Sequence, residues 1–229
     1  YRICTSVAMS AALAAEYQCS PPEVVYNAFP WADRASLDSS SKDRLNRQLP
    51  SIHWYSQTIG PGRGLEDLLE ALAYVEPNAE IHLRGHLAGG FREWLSSKTP
   101  APWRGRIFTH ALVSNDELLS RIAEHDIGFA GEMKYCRSRD LTVTNKILQY
   151  LLAGLAVVAS DTAGQLEVAA NASGAVAIYP SGNVQALADA LNGFLSHPDR
   201  LADAKSKALR AAEHTFCWEK NANLLVEIG

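Results

Sequence analysis

Residues 144–159 read Thr-Asn-Lys-Ile-Leu-Gln-Tyr-Leu-Leu-Ala-Gly-Leu-Ala-Val-Val-Ala, and among the first six Lys146 brings a positive charge and Gln149 a hydrogen-bonding amide. Lys146 falls just inside a predicted helix start, with Thr144 as its N-cap and Thr142 as the competing choice. Gln149 follows three residues later, so both side chains leave neighbouring positions on one helix face. A cation in the first turn of a helix opposes the helix dipole by about 0.3–1 kcal/mol. Its presence makes sense if an anion lies between the ammonium and the helix end; the plain alternative is a solvated lysine. The free N–H groups around Thr144, Asn145 and Lys146 add to the case for a phosphate-bearing ligand.

A second candidate is the stretch Gln57-Thr58-Ile59-Gly60-Pro61-Gly62-Arg63-Gly64, read as a loop that opens a helix. Gly62 and Gly64 let backbone approach a ligand closely, and Arg63 offers a planar fork of donors that matches a diphosphate. The glycine spacing is not that of the dinucleotide fingerprint. A tight turn with an exposed arginine is the competing reading. His82 and His86 lie four apart on a strand and its loop, not on a helix face, which is not a zinc-protease arrangement. His53 and His82 are expected as core residues in or beside the sheet, and Asp161 as the end of a strand or the cap of the next helix.

These residues need a frame. From Ser51 onward short apolar runs alternate with amphipathic segments. Strands are predicted at Ile52–Ser56, Ile81–Arg84, Ile107–Thr109, Ile127–Ala130, Leu155–Ala159 and Ala175–Tyr179. Helices are predicted at Gly64–Val75, Phe91–Ser97, Asn115–Glu124, Val143–Leu152, Gln165–Ala170 and Val184–Leu195, with a helical tail after Pro198. Such alternation implies an α/β fold: a doubly wound, Rossmann-like parallel sheet covered on both faces. Ligands in such folds bind beyond the carboxyl ends of the strands. Before Ser51 the pattern changes. A strand over Arg2–Ser6, an Ala-rich helix over Val7–Tyr17 and a strand over Val24–Tyr26 precede a polar stretch, Asp33–Arg47, read as loop and loose helix.

Composition narrows the function classes. Hydrophobic residues make up 47% and charged residues 20% of the 229 positions, which is globular rather than disordered. A formal net charge of −4 removes any general attraction to nucleic acid, so phosphate contacts must come from local cations. No apolar run is long enough to span a membrane. Cys4, Cys19, Cys136 and Cys217 form no C-x-x-C pair, which favours reduced thiols in the cytoplasm over disulfides or structural zinc. A chain opening on Tyr1 with no charged-then-apolar leader is expected to be a piece of a longer protein.

The stretch Lys146…Gln149-Tyr150…Ala153-Gly154-Leu155-Ala156-Val157-Val158 resembles the donor-binding signature of GT-B glycosyltransferases of the family-four-like group. Two positions depart from it: Gln149 stands where that group has Glu, and Ala156 where it has Pro. The likeness extends to Arg63-Gly64 in place of a Lys-Gly pair, with neutral Gln57 at the family's upstream Arg, and to Ile107–Ala111 followed by Asn115–Leu119. It continues through Val24–Phe29 as the crossing between two domains, Gly164–Glu167 and the terminal Phe216-Cys217-Trp218. The resemblance implies the C-terminal half of a GT-B architecture: residues 1–26 end an absent N-terminal acceptor domain, and 27–229 form a nucleotide-sugar-binding domain.

By the same resemblance the activity is hexosyltransferase-like, from a UDP- or GDP-sugar, with no cofactor and no metal. Arg63 and Lys146 are the catalytic cations, Gln149 contacts ribose, and His110 and Ala111 line the base. The family's second Glu falls on Leu141, so Asp140 is the substitute sugar-hydroxyl acceptor, with a salt bridge to Arg137 or Arg139 as its alternative role. Glu167 is read as a helix-surface charge. Loss of both acids, at Leu141 and Gln149, leaves open a non-catalytic nucleotide- or partner-binding module of the same fold; a sugar-nucleotide epimerase on the same two-domain architecture is a third reading.

Overall fold

In the computed structural model, which describes residues 2–38, 49–76 and 78–228, the six predicted strands form one parallel sheet. After β1 (Ile3–Cys4), α1 (Val7–Tyr17) and β2 (Glu23–Val24), the sheet runs β3 (Ser51–Ile59), β4 (Glu80–Leu87), β5 (Ile107–His110), β6 (Ile127–Ala130), β7 (Ala156–Ser160) and β8 (Val176–Tyr179). Its spatial order is β5-β4-β3-β6-β7-β8. The chain builds outward from β3 in one direction, then returns to the other side of β3. The crevice at the carboxyl ends of β3 and β6 is therefore the topological switch point, where doubly wound sheets open to ligands.

The connecting helices are α2 (Leu65–Ala71), α3 (Phe91–Lys98), α4 (Asn115–Ala123), α5 (Arg137–Leu141), α6 (Asn145–Ala153), α7 (Ala163–Asn171) and α8 (Val184–Leu195), followed by α9 (Pro198–His214) and α10 (Trp218–Ile228). Local sequence explains their ends. Ser114 and Glu117 make a capping box at α4, and Gly154 closes α6 in the left-handed conformation at φ 80°. One apolar layer joins Ile52, Trp54 and Ile81 to α2 and α8; the opposite layer joins Val157 and Ala159 to α4, α6 and α9. Burial on both faces is why Ile127–Ala130 and Leu155–Ala159 read as near-continuous apolar runs, whereas β3 and β4 carry polar residues.

Several boundaries differ from expectation. β3 runs on to Ile59, so Gln57 and Thr58 are strand and the loop shrinks to Gly60–Gly64. A register shift against β4 between Tyr55 and Thr58 absorbs the polar residues. The helix expected over Gly64–Val75 ends at Ala71, and the strand expected at Val24–Tyr26 is Glu23–Val24. In the polar stretch Trp31–Ser36 is a 3-10 turn, whereas 39–47 lie outside the described residues.

β1 and β2 pair in parallel with each other and stand apart from the main sheet. The chain tail returns to this region: Trp218 N–H donates to Phe29 O at 2.9 Å, and Glu219 accepts from Trp31 N–H at 2.9 Å and Ala32 N–H at 3.2 Å. Among the described residues no helix is long and apolar enough to cross a membrane.

Candidate functional site

At the switch point the loop after β3 presses on the loop after β6. Gly64 has φ +77°, and a Cβ there would lie 2.0 Å from Gly131 O. Its lack of a side chain thus serves contact between two loops. Gly62, at φ +71°, has open space around it and donates its N–H to Glu66 Oε1 at 2.7 Å. Arg63 is half-buried between them.

The residue after Gly131 organises the site. Glu132 has a side chain 8% exposed and accepts from Lys146 Nζ at 2.9 Å and from Arg139 Nη1 at 3.1 Å. Burial alone would push its carboxyl up, but the adjacent Lys146 and Arg139 more than offset this and hold it below the usual range. The Lys146 ammonium also lies 5.2 Å from the Trp54 ring centroid. The backbone beneath is pinned, since Ser160 Oγ donates to Glu132 O at 2.6 Å. The anion that Lys146 calls for at a helix N-terminus is thus supplied by the chain itself. Two cations around one carboxylate still leave the cluster positive, with Arg63 in the loop packed against it.

A cavity of about 720 Å³ opens beside this cluster, over the ends of β3 and β4. Tyr55, Gln57, Arg84, Leu112, Asn145 and Gln149 are among its walls, with the 3-10 turn contributing Asp33 and Ser36. Arg63 and Lys146 are outside that lining. Gln149 Oε1 accepts from the Tyr55 hydroxyl, whose own ionisation burial pushes far above the ordinary phenol range. Asn145 Oδ1 accepts from Asn27 at 2.9 Å. Arg84 Nη1 donates to Ala111 O at 2.9 Å.

Other expected site residues are placed differently. Asp140 Oδ1 accepts from Ala163 N–H at 3.1 Å, at the N-terminus of α7, and Arg137 and Arg139 pair with Glu16 and Glu132 rather than with it. The short helix α5 splays its charges: Arg137 reaches Glu16 at 3.1 Å while Arg139 reaches Glu132. His110 Nε2 meets His82 Nδ1 at 2.9 Å, and of its segment Leu112 and Val113 line the cavity. Thr144 occupies the N-cap of α6, yet its buried hydroxyl meets no partner among the described residues. Asp161 ends its strand as expected, and accepts from Ser181 N–H at 2.9 Å and Lys134 Nζ at 3.0 Å. Glu167 is not a plain surface charge. It accepts from Val7 N–H at 2.9 and 3.0 Å and from the Tyr26 hydroxyl at 2.6 Å, and so holds α1 to α7.

Sequence reasoning missed Glu132, Tyr55 and Arg84. The one available signal was the cation-at-N-terminus conflict, which asked for a nearby acid and left Glu132, just past β6, as a choice.

The family described as "Glycosyl transferases group 1" matches residues 51–197. No curated protein sequence matches the chain. Among solved structures, HepE of Anabaena in complex with UDP is similar at TM-score 0.79 and 18% identity, covering 99% of this chain and 62% of that one. Sucrose-phosphate synthase from Thermosynechococcus elongatus is similar at 0.76 and 14%, covering 99% and 56%. The C-terminal domain of a group 1 family glycosyl transferase, LpcC of Francisella tularensis, is similar at 0.63 and 14%, covering 83% and 96%. The chain therefore spans less than two thirds of the first two.

Proposed function

The chain belongs to the group 1 glycosyl transferases, and from that premise we propose that it supplies the donor-binding domain of an enzyme transferring a sugar from a nucleotide diphosphate sugar to an acceptor. The observation that carries this reading is the positive cluster at the switch point near a crevice of about 720 Å³, large enough for a nucleotide. The diphosphate lies over the loops after β3 and β6, near Arg63, Lys146 and the N-terminus of α6. Charge grows on the leaving nucleotide as the sugar departs, and fixed cations stabilise it without reorganising. Glu132 holds Lys146 and Arg139 together through its two ion pairs.

UDP and GDP are the proposed carriers, and the UDP complex of HepE supports a uridine nucleotide. The acceptor site and any general base belong to a further domain, of which β1, α1 and β2 are the proposed end, with the boundary near residue 26. The cytoplasm is the proposed setting, on the strength of four free cysteines.

Calorimetric titration with UDP, GDP and ADP tests the site. At least one is expected to bind, and Lys146→Ala to weaken it tenfold or more. Equal binding by that variant removes Lys146 from the site.

A further inference from the structure

The cavity contains a cation that the diphosphate reading does not use. Arg84 is 6% exposed, on β4, in register with Tyr55 of β3. Registered residues of neighbouring strands point to the same sheet face, and both side chains line the cavity. A guanidinium has five N–H donors. Among the described residues this one meets Ala111 O alone, and its buried Nε has no acceptor. No described carboxylate forms a salt bridge with it. A buried polar group left in this state calls for a reason, and a ligand acceptor supplies one.

Position says which part of a nucleotide this is. Adjacent strands are about 4.8 Å apart, so β4 lies about 10 Å from β6, whose loop carries the Lys146–Glu132–Arg139 cluster. A ligand with its phosphates over β3 and β6 extends its base toward β4. The walls also include Asp33 and Asp116. Asp33 and Asp116 gather acidic side chains at this end of the cavity, and like charge there disfavours a phosphate. A donor fork near carboxylate acceptors matches a base with a keto oxygen beside a ring N–H. Adenine and cytosine present an amino donor where the keto bases present an acceptor.

Building on the nucleotide-site reading above, we propose that Arg84 is the base-reading residue, selecting uracil or guanine nucleotides over adenine and cytosine ones. A buried donor left unpaired by the wrong base makes such discrimination strong.

The test is calorimetry of the chain with UDP, GDP, ADP, CDP and pyrophosphate, for wild type, Arg84→Leu and Arg84→Lys. Wild type is expected to bind UDP or GDP at least tenfold tighter than ADP and CDP. Both variants are expected to bring that ratio below threefold and leave pyrophosphate affinity unchanged. Equal wild-type affinity for all four nucleotides overturns the proposal whether or not the variants fold, and so does a ratio that survives in Arg84→Leu or Arg84→Lys. Pyrophosphate affinity falling together with that for UDP reassigns Arg84 to an anion and also overturns it. If wild type binds pyrophosphate but no nucleotide, or nothing at all, the donor-site reading itself fails.

Discussion

Replacing Glu132 by Gln isolates what the buried carboxylate does. Gln keeps the shape and one acceptor for Lys146, but removes the charge and turns an N–H group toward Arg139. Losing one partner of a buried ion pair costs about 3–5 kcal/mol when the partner is stranded. Lys146 fits that case, with a side chain 12% exposed, whereas Arg139 is 37% exposed and regains water. The retained acceptor and this solvation bring the expected loss to about 2–3 kcal/mol. In a chain of this size that lowers the melting temperature by about 4–12 °C.

The pH dependence fixes the sign. The folded-state carboxyl titrates below its unfolded value of about 4.3. Its stabilisation is therefore full above that value and disappears as pH falls through the folded one. The gap between wild type and Glu132→Gln should be widest at pH 7 and close on acidification below about pH 4. Urea unfolding across pH 3–7, about the range where a carboxylate matters, measures it directly. Added pyrophosphate should stabilise the variant more than wild type, since it restores a counter-charge. Equal stability of the two proteins at pH 7 would refute the reasoning, as would a gap that does not change with pH.

Gly64→Ala should lower stability by at least about 2 kcal/mol, because the new Cβ would overlap Gly131 O and a side chain is strained at positive φ; Gly62→Ala, with open space around it, should cost about 1 kcal/mol or less. Comparable melting points for the two variants would contradict that ordering. Glu167→Ala removes both acceptors of Val7 N–H and the partner of the Tyr26 hydroxyl. Hydrogen exchange in α1 should then accelerate by about fivefold or more, a loss of about 1 kcal/mol of local stability, with the sheet unchanged. Unaltered protection of α1 would show that Glu167 does not hold it.

The sheet was legible because short apolar segments alternate with amphipathic ones, most plainly where burial on both faces leaves an apolar run, and the strand Ile127–Ala130 and the helix Val184–Leu195 match expectation to the residue. The end of β3 was not. Gln57 and Thr58 look like loop, and the strand accommodates them by a register shift beside Gly85, where a Cβ would lie 2.5 Å from Ser56 O. That close approach is a tertiary fact with no local signature. The partners of α5 were hidden for a similar reason. Arg137, Arg139 and Asp140 are neighbours in sequence, and a window that short favours pairing them with one another. One turn of helix sends them instead to Glu16, Glu132 and the N-terminus of α7.

Glu132 shows how far a local conflict can carry an argument. A lysine in the first turn of a helix is unfavourable by itself, and the sequence states the problem clearly at Lys146. A ligand phosphate is one answer and an internal carboxylate is another; both satisfy the dipole equally well. Arg139 separates them. A neutral Lys146–Glu132 pair would satisfy the helix and offer an incoming anion little. A third member carrying a second positive charge is surplus to capping, and its 37% exposed side chain leaves that charge accessible. The structure thus answers the helix's requirement from within and keeps a positive charge in reserve at the switch point. That reserve, more than Lys146 alone, is the physical basis for the proposed diphosphate site.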